Sequence, residues 1–245
     1  MKQLTYTLLT LSALLSLSLN SGSATAQSNS SLASACQQLI NLSLEDTSIS
    51  LAEVVTANSF TAPGAERTMD LPAFCRVVGM TTPAINFEVW LPLQGWNGKY
   101  QGVGNGGMAG TISYRAMAAA LRRDYATAST DTGHKAGSVS FDASWALGRP
   151  DLIEDFGHRS LHLTTVNGKA VTEALYAQPP NYSYYMGCSK GGQQGLMEAQ
   201  RYPDDFDGLI AGDPANDWTR FYAGSHLWYS LAMLEDTESH IPPAK

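Results

Sequence analysis

Tyr182-Ser-Tyr-Tyr-Met-Gly-Cys-Ser-Lys-Gly-Gly-Gln-Gln-Gly-Leu-Met-Glu-Ala-Gln-Arg201 is the stretch on which the fold turns. A short apolar-aromatic strand over Tyr182–Met186 runs into Gly187-Cys188-Ser189-Lys190-Gly191, a G-x-S-x-G pattern. A helix over Gly192–Arg201 follows at once. Strand before and helix after are the context in which this pattern forms a sharp elbow, with the Ser on a strained turn and glycines relieving the crowding beside it. Such a turn lifts the Ser hydroxyl clear of the sheet and sets it at a helix N-terminus. Backbone N–H groups there, including that of Lys190, can stabilise a developing oxyanion.

Working outward, the neighbouring segments alternate between strand and helix. Residues 36–60 carry mixed apolar spacing and then strand character. Cys75–Met80 and Ile85–Leu91 read as strands, the second alternating apolar and polar positions. Trp96-Asn-Gly98 is a turn, and a glycine-rich loop spans Gly102–Gly110. Helix over Tyr114–Arg122, strand over Tyr125–Thr130, helix over Gly157–Tyr176 and strand over Gly208–Gly212 complete the pattern. Strands and helices in this alternation predict an α/β fold, a mostly parallel sheet flanked by helices.

Composition narrows the function classes. The chain has 245 residues, 15 Lys+Arg against 22 Asp+Glu, and a net charge of −7. Nothing in that balance would neutralise a run of phosphates, so no nucleic-acid partner is expected. Lys2, the apolar run Leu8–Leu19 and Ala24-Thr25-Ala26 form a secretory signal over residues 1–26, with cleavage before Gln27. The apolar run is too short to span a bilayer, so no membrane association is expected once the signal is removed. The expected location is secreted or periplasmic, an oxidising compartment for the three cysteines. Residues 27–35 are expected to be a disordered leader, and residues 36–245 the folded unit.

A Ser nucleophile needs a His base oriented by a carboxylate. In hydrolases with this elbow the acid and then the His follow the Ser in sequence. Downstream of Ser189 lie His226, in an aromatic helical run, and His240, near the last residue. Neither reads well as the base, so the constellation looks incomplete. Other patterns have blander readings. Gly102-Val-Gly-Asn-Gly-Gly107 with Asp131 resembles a dinucleotide fingerprint, but a glycine loop after an early strand also suits the second oxyanion donor, Gly106 or Gly107. Asp204-Asp-Phe-Asp-Gly208 fails as a calcium loop because Pro214 falls where the final Glu is required, and it reads as a helix terminus with solvated acids. His134, His158 and His162 lack a partner Glu of the H-E-x-x-H kind and read as solvated or core-capping, so no metal is expected.

The run Gly187–Ala215, together with Gly104-Asn-Gly-Gly107, Ser129-Thr-Asp-Thr-Gly-His134 and Asp155-Phe-Gly-His-Arg-Ser-Leu-His162, resembles the tannase/feruloyl esterase family. Several separated motifs match in order, from about Cys36 onward. The resemblance implies an α/β-hydrolase core and hydrolysis of esters of aromatic acids of gallate, ferulate or terephthalate monoester type. It implies Ser189 as nucleophile and a structural Cys36–Cys75 disulfide. Cys188 matches a cysteine that the family bonds to one beside its catalytic His. In the family that His, the Asp and a lid that often holds Ca²⁺ lie further downstream. The expectation is therefore a chain lacking Asp and His, with no cofactor of its own. A non-catalytic remnant that binds an aromatic ligand and a general lipase or polyester depolymerase are the alternatives.

Overall fold

The computed structural model describes residues 31–137, 142–236 and 238. The expected signal segment, residues 27–30 of the leader and His240 lie outside the described residues. Seven strands form one sheet: β1 (Thr47–Val55), β2 (Phe74–Thr81), β3 (Ile85–Pro92), β4 (Lys99–Val103), β5 (Ala126–Thr130), β6 (Tyr182–Cys188) and β7 (Gly208–Gly212). Their order is β1-β2-β3-β5-β4-β6-β7. Besides an N-terminal helix over residues 31–38, the helices are α1 (Tyr114–Leu121), α2 (Pro150–Glu154), α3 (Ser160–Tyr176), α4 (Lys190–Arg201) and α5 (Trp218–Glu235).

The sheet has two halves with different physical origins. β1, β2, β3 and β5 pair antiparallel, whereas β5, β4, β6 and β7 are parallel. Only three residues separate β2 from β3, which permits a hairpin and nothing else. The parallel strands are joined through helices. The β4-to-β5 and β5-to-β6 connections run in opposite directions along the sheet, so right-handed crossovers place α1 on one face and α3 on the other.

Burial on both faces explains why β3 departs from simple alternation. Phe87, Val89 and Leu91 enter a core with Val77, Tyr100, Leu161, Val171 and Leu175. Trp90 faces the other side with Phe60, Phe74, Met117 and Leu121. Glu88, on that same side, is buried because Arg76 forks onto its two oxygens at 2.9 and 2.7 Å. Trp90 Nε1 and the Tyr114 hydroxyl also donate to it, each at 2.9 Å. This polar position of the alternation is therefore a fully partnered interior carboxylate.

Three segments differ from expectation. Residues 31–35, expected as part of a disordered leader, are helical as far as residue 38. Leu32 and Ala35 pack on the core, and the Cys36–Cys75 disulfide holds that end in place. The helix expected from Gly157 starts at Pro150, which occupies the first turn where its missing N–H costs nothing. A π-helical turn over Asp155–Arg159 then joins α2 to α3. Gly102, read as the start of a loop, lies inside strand β4, between β5 and β6. No helix among the described residues is long and apolar enough to cross a membrane.

Candidate active site

β6 delivers the chain to Ser189 and α4 begins at the next residue. Ser189 has φ 59° and ψ −117°, a conformation that a non-glycine residue adopts only under constraint. The constraint is visible. Ser189 N–H donates to Gly212 O at 3.0 Å, while Ser189 O accepts from Gln193 N–H and Ala215 N–H at 3.1 and 3.2 Å. A Cβ on Gly187 would come within 2.5 Å of the Gly191 carbonyl, so only glycine lets the strand pass the first turn of α4. Ser189 is exposed at the top of the turn. The N–H of Lys190, first residue of α4, has no acceptor within the helix and lies at the positive end of its dipole.

The loop after β4 is bolted to this turn. Gly191 N–H donates to Asn105 O at 2.8 Å, and Gly104 N–H donates to Met186 O at 3.0 Å. Asn105 and Gln194 form a reciprocal pair: Asn105 N–H donates to Gln194 Oε1, and Gln194 Nε2 donates to Asn105 Oδ1, both at 3.0 Å. Asn105 Nδ2 reaches the carbonyls of Thr111 and Thr130 at 2.9 and 2.8 Å. The N–H groups of Gly104, Asn105 and Gly191 are thus occupied. Gly106 stands exposed with open space around it, and Gly107 has φ 55°. Gln194 was not singled out by the sequence. Its signal is weak, because its partner lies 89 residues away.

The Lys190 side chain turns inward, away from the exposed elbow. Its Nζ donates to Phe156 O at 3.0 Å and to Gln193 Oε1 at 2.9 Å, and sits 3.5 Å from the Phe156 ring centroid. Burial pushes its pKa down to about 7. His134 caps the glycine loop, with Nε2 2.7 Å from Met108 O and its ring stacked on Trp145 at 3.8 Å. Burial also lowers its pKa.

The chain belongs to the tannase and feruloyl esterase family. The model of the family described as "Tannase and feruloyl esterase" matches residues 69–245. An uncharacterized esterase of Xanthomonas campestris pv. campestris is 47% identical over 219 residues, covering 88% of this chain and 38% of that protein. Among solved structures, an esterase from Aspergillus oryzae superposes with a TM-score of 0.74 at 29% identity, over 82% of this chain and 41% of that one. Feruloyl esterase B from Aspergillus oryzae gives 0.65 at 35% identity, over 75% and 37%. The chain therefore spans about two fifths of the length of these relatives, and the α/β-hydrolase fold is theirs.

Within this family member the other candidates fall into place. Cys36 and Cys75 are disulfide-bonded, and Cys188 is a free, exposed thiol. Asp131 is committed to structure: its carboxylate accepts from Asn86 N, Asn86 Nδ2 and Gly133 N at 3.0, 2.7 and 2.9 Å. His158 Nδ1 lies 2.8 Å from the Tyr202 hydroxyl, and His162 Nδ1 lies 2.6 Å from Asp205 Oδ2. The hydrogen-bond partners of the three histidines differ, although His158 and His162 both meet Tyr202, the second by stacking on its ring. The Asp204–Gly208 acids are not simply solvated: Asp205 is buried, and Asp207 Oδ2 accepts from Ser183 N–H at 2.7 Å. The reason is that β7 starts immediately afterwards and draws this turn against α3. His226 is exposed on α5.

Proposed function

We propose that this chain is the nucleophile-bearing part of a secreted serine carboxylic ester hydrolase acting on esters of aromatic acids, of gallate, ferulate or terephthalate monoester type. The observation that carries the reading is the backbone of Ser189, held at φ 59° and ψ −117° between β6 and α4 with its side chain exposed. Ser189 Oγ attacks the ester carbonyl carbon. The N–H of Lys190 and that of Gly106 or Gly107 hold the oxygen as it gains charge. A His base takes the Ser proton and returns it to the leaving alcohol, and water then releases the aromatic acid.

In this reading the base, its Asp, the cysteine that pairs Cys188 and any Ca²⁺-holding lid lie in the part of the relatives' length that this chain does not span. Two facts support this division. His134, His158 and His162 are each held by other partners, and the relatives are more than twice as long. The aromatic substrate class rests on relatives named feruloyl esterases, and export rests on the signal pattern of residues 1–26.

Methyl ferulate and methyl gallate hydrolysis tests the reading. The 245-residue chain is expected to show slight turnover. The protein continued to the length of its relatives is expected to turn over one of them and to lose at least roughly 10³-fold on Ser189→Ala. Turnover that survives Ser189→Ala sinks the nucleophile assignment. Robust turnover by the 245-residue chain that His226→Ala abolishes would instead place the base within this chain.

A further inference from the structure

The seam between α3 and α4 holds a second constellation that ester chemistry does not use. His162 projects from α3, Glu198 from α4, and Asp205 from the turn before β7. One donor atom from each lies within 4.8 Å of the others. We propose that these three side chains bind a divalent first-row transition cation, Zn²⁺ or a close neighbour, through His162 Nδ1 and one carboxylate oxygen each from Glu198 and Asp205.

Glu198 supplies the strongest argument. It is 1% exposed, and its oxygens have no hydrogen-bond partner among the described residues other than the carboxyl of Asp205. The group it faces is another buried carboxyl, that of Asp205, at 8% exposure. Burying an ionisable group without donors is costly, and a facing carboxylate adds repulsion. A cation between the two would remove both penalties. Lys169 does not fill that role, since its Nζ donates to the main-chain oxygen of Asp205.

Donor type and spacing fit a small borderline cation. Zinc bonds of about 2.0–2.2 Å to nitrogen and oxygen place neighbouring ligand atoms roughly 3–4 Å apart. Closing from 4.8 Å asks the ligand atoms to approach one another by about 1–2 Å. The imidazole nitrogen disfavours Mg²⁺ and Ca²⁺, which prefer oxygen throughout. The His162 ring is already fixed, stacked on Tyr202 with centroids 3.8 Å apart and 8° between planes. Its side chain is 28% exposed and offers a way in from solvent. Glu198 lies on α4 roughly 13 Å along the helix from Ser189. The ion would therefore clamp α3, α4 and the Asp205 turn together and would not touch the ester.

The test is titration of Zn²⁺ into the chelator-stripped chain by calorimetry, with a thermal melt alongside and no ester present. One ion per chain is expected, with a rise in melting temperature of several degrees. Glu198→Gln keeps the shape of the side chain and should weaken binding by more than about 100-fold, since losing even an outer partner of a metal ligand costs 10–100-fold. His162→Ala, at a partly exposed position, should do the same and erase the visible absorption of bound Co²⁺. Should Glu198→Gln fail to fold, Asp205→Asn and His162→Ala carry the comparison. Absence of binding by the parent chain overturns the proposal, and so does equal binding by His162→Ala, which would place the ion on other surface groups.

Discussion

Ser189 and Lys190 are adjacent in sequence and opposite in environment. The first is exposed, while the second is 1% exposed, with its ammonium among Phe156, Trp218 and the Gln193 amide. Lys190 contributes to the proposed oxyanion site through its main chain alone, so Lys190→Met should leave kcat/KM within a few-fold. Its effect should appear in stability. The folded pKa of about 7 lies below the ordinary 10.5 because burial disfavours the charged form. Between those values the unfolded chain binds the proton that the folded chain has shed, so stability rises with pH through that window. Below pH 7 both states are charged and the cost of burying the ammonium is present in full. Chemical denaturation at pH 6 and pH 9 should show the parent gaining a few kcal/mol that Lys190→Met lacks. Parallel pH profiles for the two proteins would contradict this. Residue identities of this kind were only partly legible in the sequence. The elbow pattern marks Ser189, but nothing local says that Lys190 points inward or that Asp205 is buried against His162.

The glycine loop and α4 owe their mutual position to one side-chain pair. Gln194 satisfies both the N–H and the Oδ1 of Asn105 inside the protein. Gln194→Leu preserves bulk but strands two buried polar groups, each costing about 1–3 kcal/mol. A fall in melting temperature of at least roughly 4 °C is expected for a domain of this size. In any ester turnover kcat should fall more than KM rises, because the loop carries the proposed second oxyanion donor. An unchanged melt would mean that the Asn105 groups find other partners. Elements with strong periodicity, β2, β3, α1 and β7, were legible within a few residues. β4 was not, because Lys99-Tyr-Gln-Gly-Val103 shows no alternation and becomes a strand only through its neighbours β5 and β6. The π-helical turn at Asp155–Arg159 was also hidden. There Asp155 is buried and Arg159 Nη1 donates to it at 2.7 Å, a tertiary reason with no local signature.

At the scale of the molecule, cover is uneven. The disulfide closes the N-terminal helix onto the β1–β2 end, joining residues 39 apart. Cys36→Ser with Cys75→Ser should cost about 2–4 kcal/mol in denaturant unfolding. At the other end β7 is a sheet edge with Ile210 62% exposed, and Met186 of β6 lies beside it. A groove of about 440 Å³ runs there between Ala116, Arg123, Met186 and Ile210, on the face opposite α4. α5 adds Leu227, Trp228, Tyr229 and Leu234, all more than half exposed. An open parallel edge and a separate exposed apolar helix face bind hydrophobic dyes, and the edge invites strand-to-strand association. The 245-residue chain should therefore enhance the fluorescence of an anilinonaphthalene dye while its near-UV circular dichroism stays that of a packed core. Ile210→Lys should lower the dye signal and raise solubility without lowering the melting temperature, since the side chain already faces water. Leu234→Glu on α5 should act independently, the two effects adding because the sites share no partner. Dye binding that survived both changes would locate the apolar surface elsewhere, and a loss of near-UV signal in the parent would mean that the core itself is not packed.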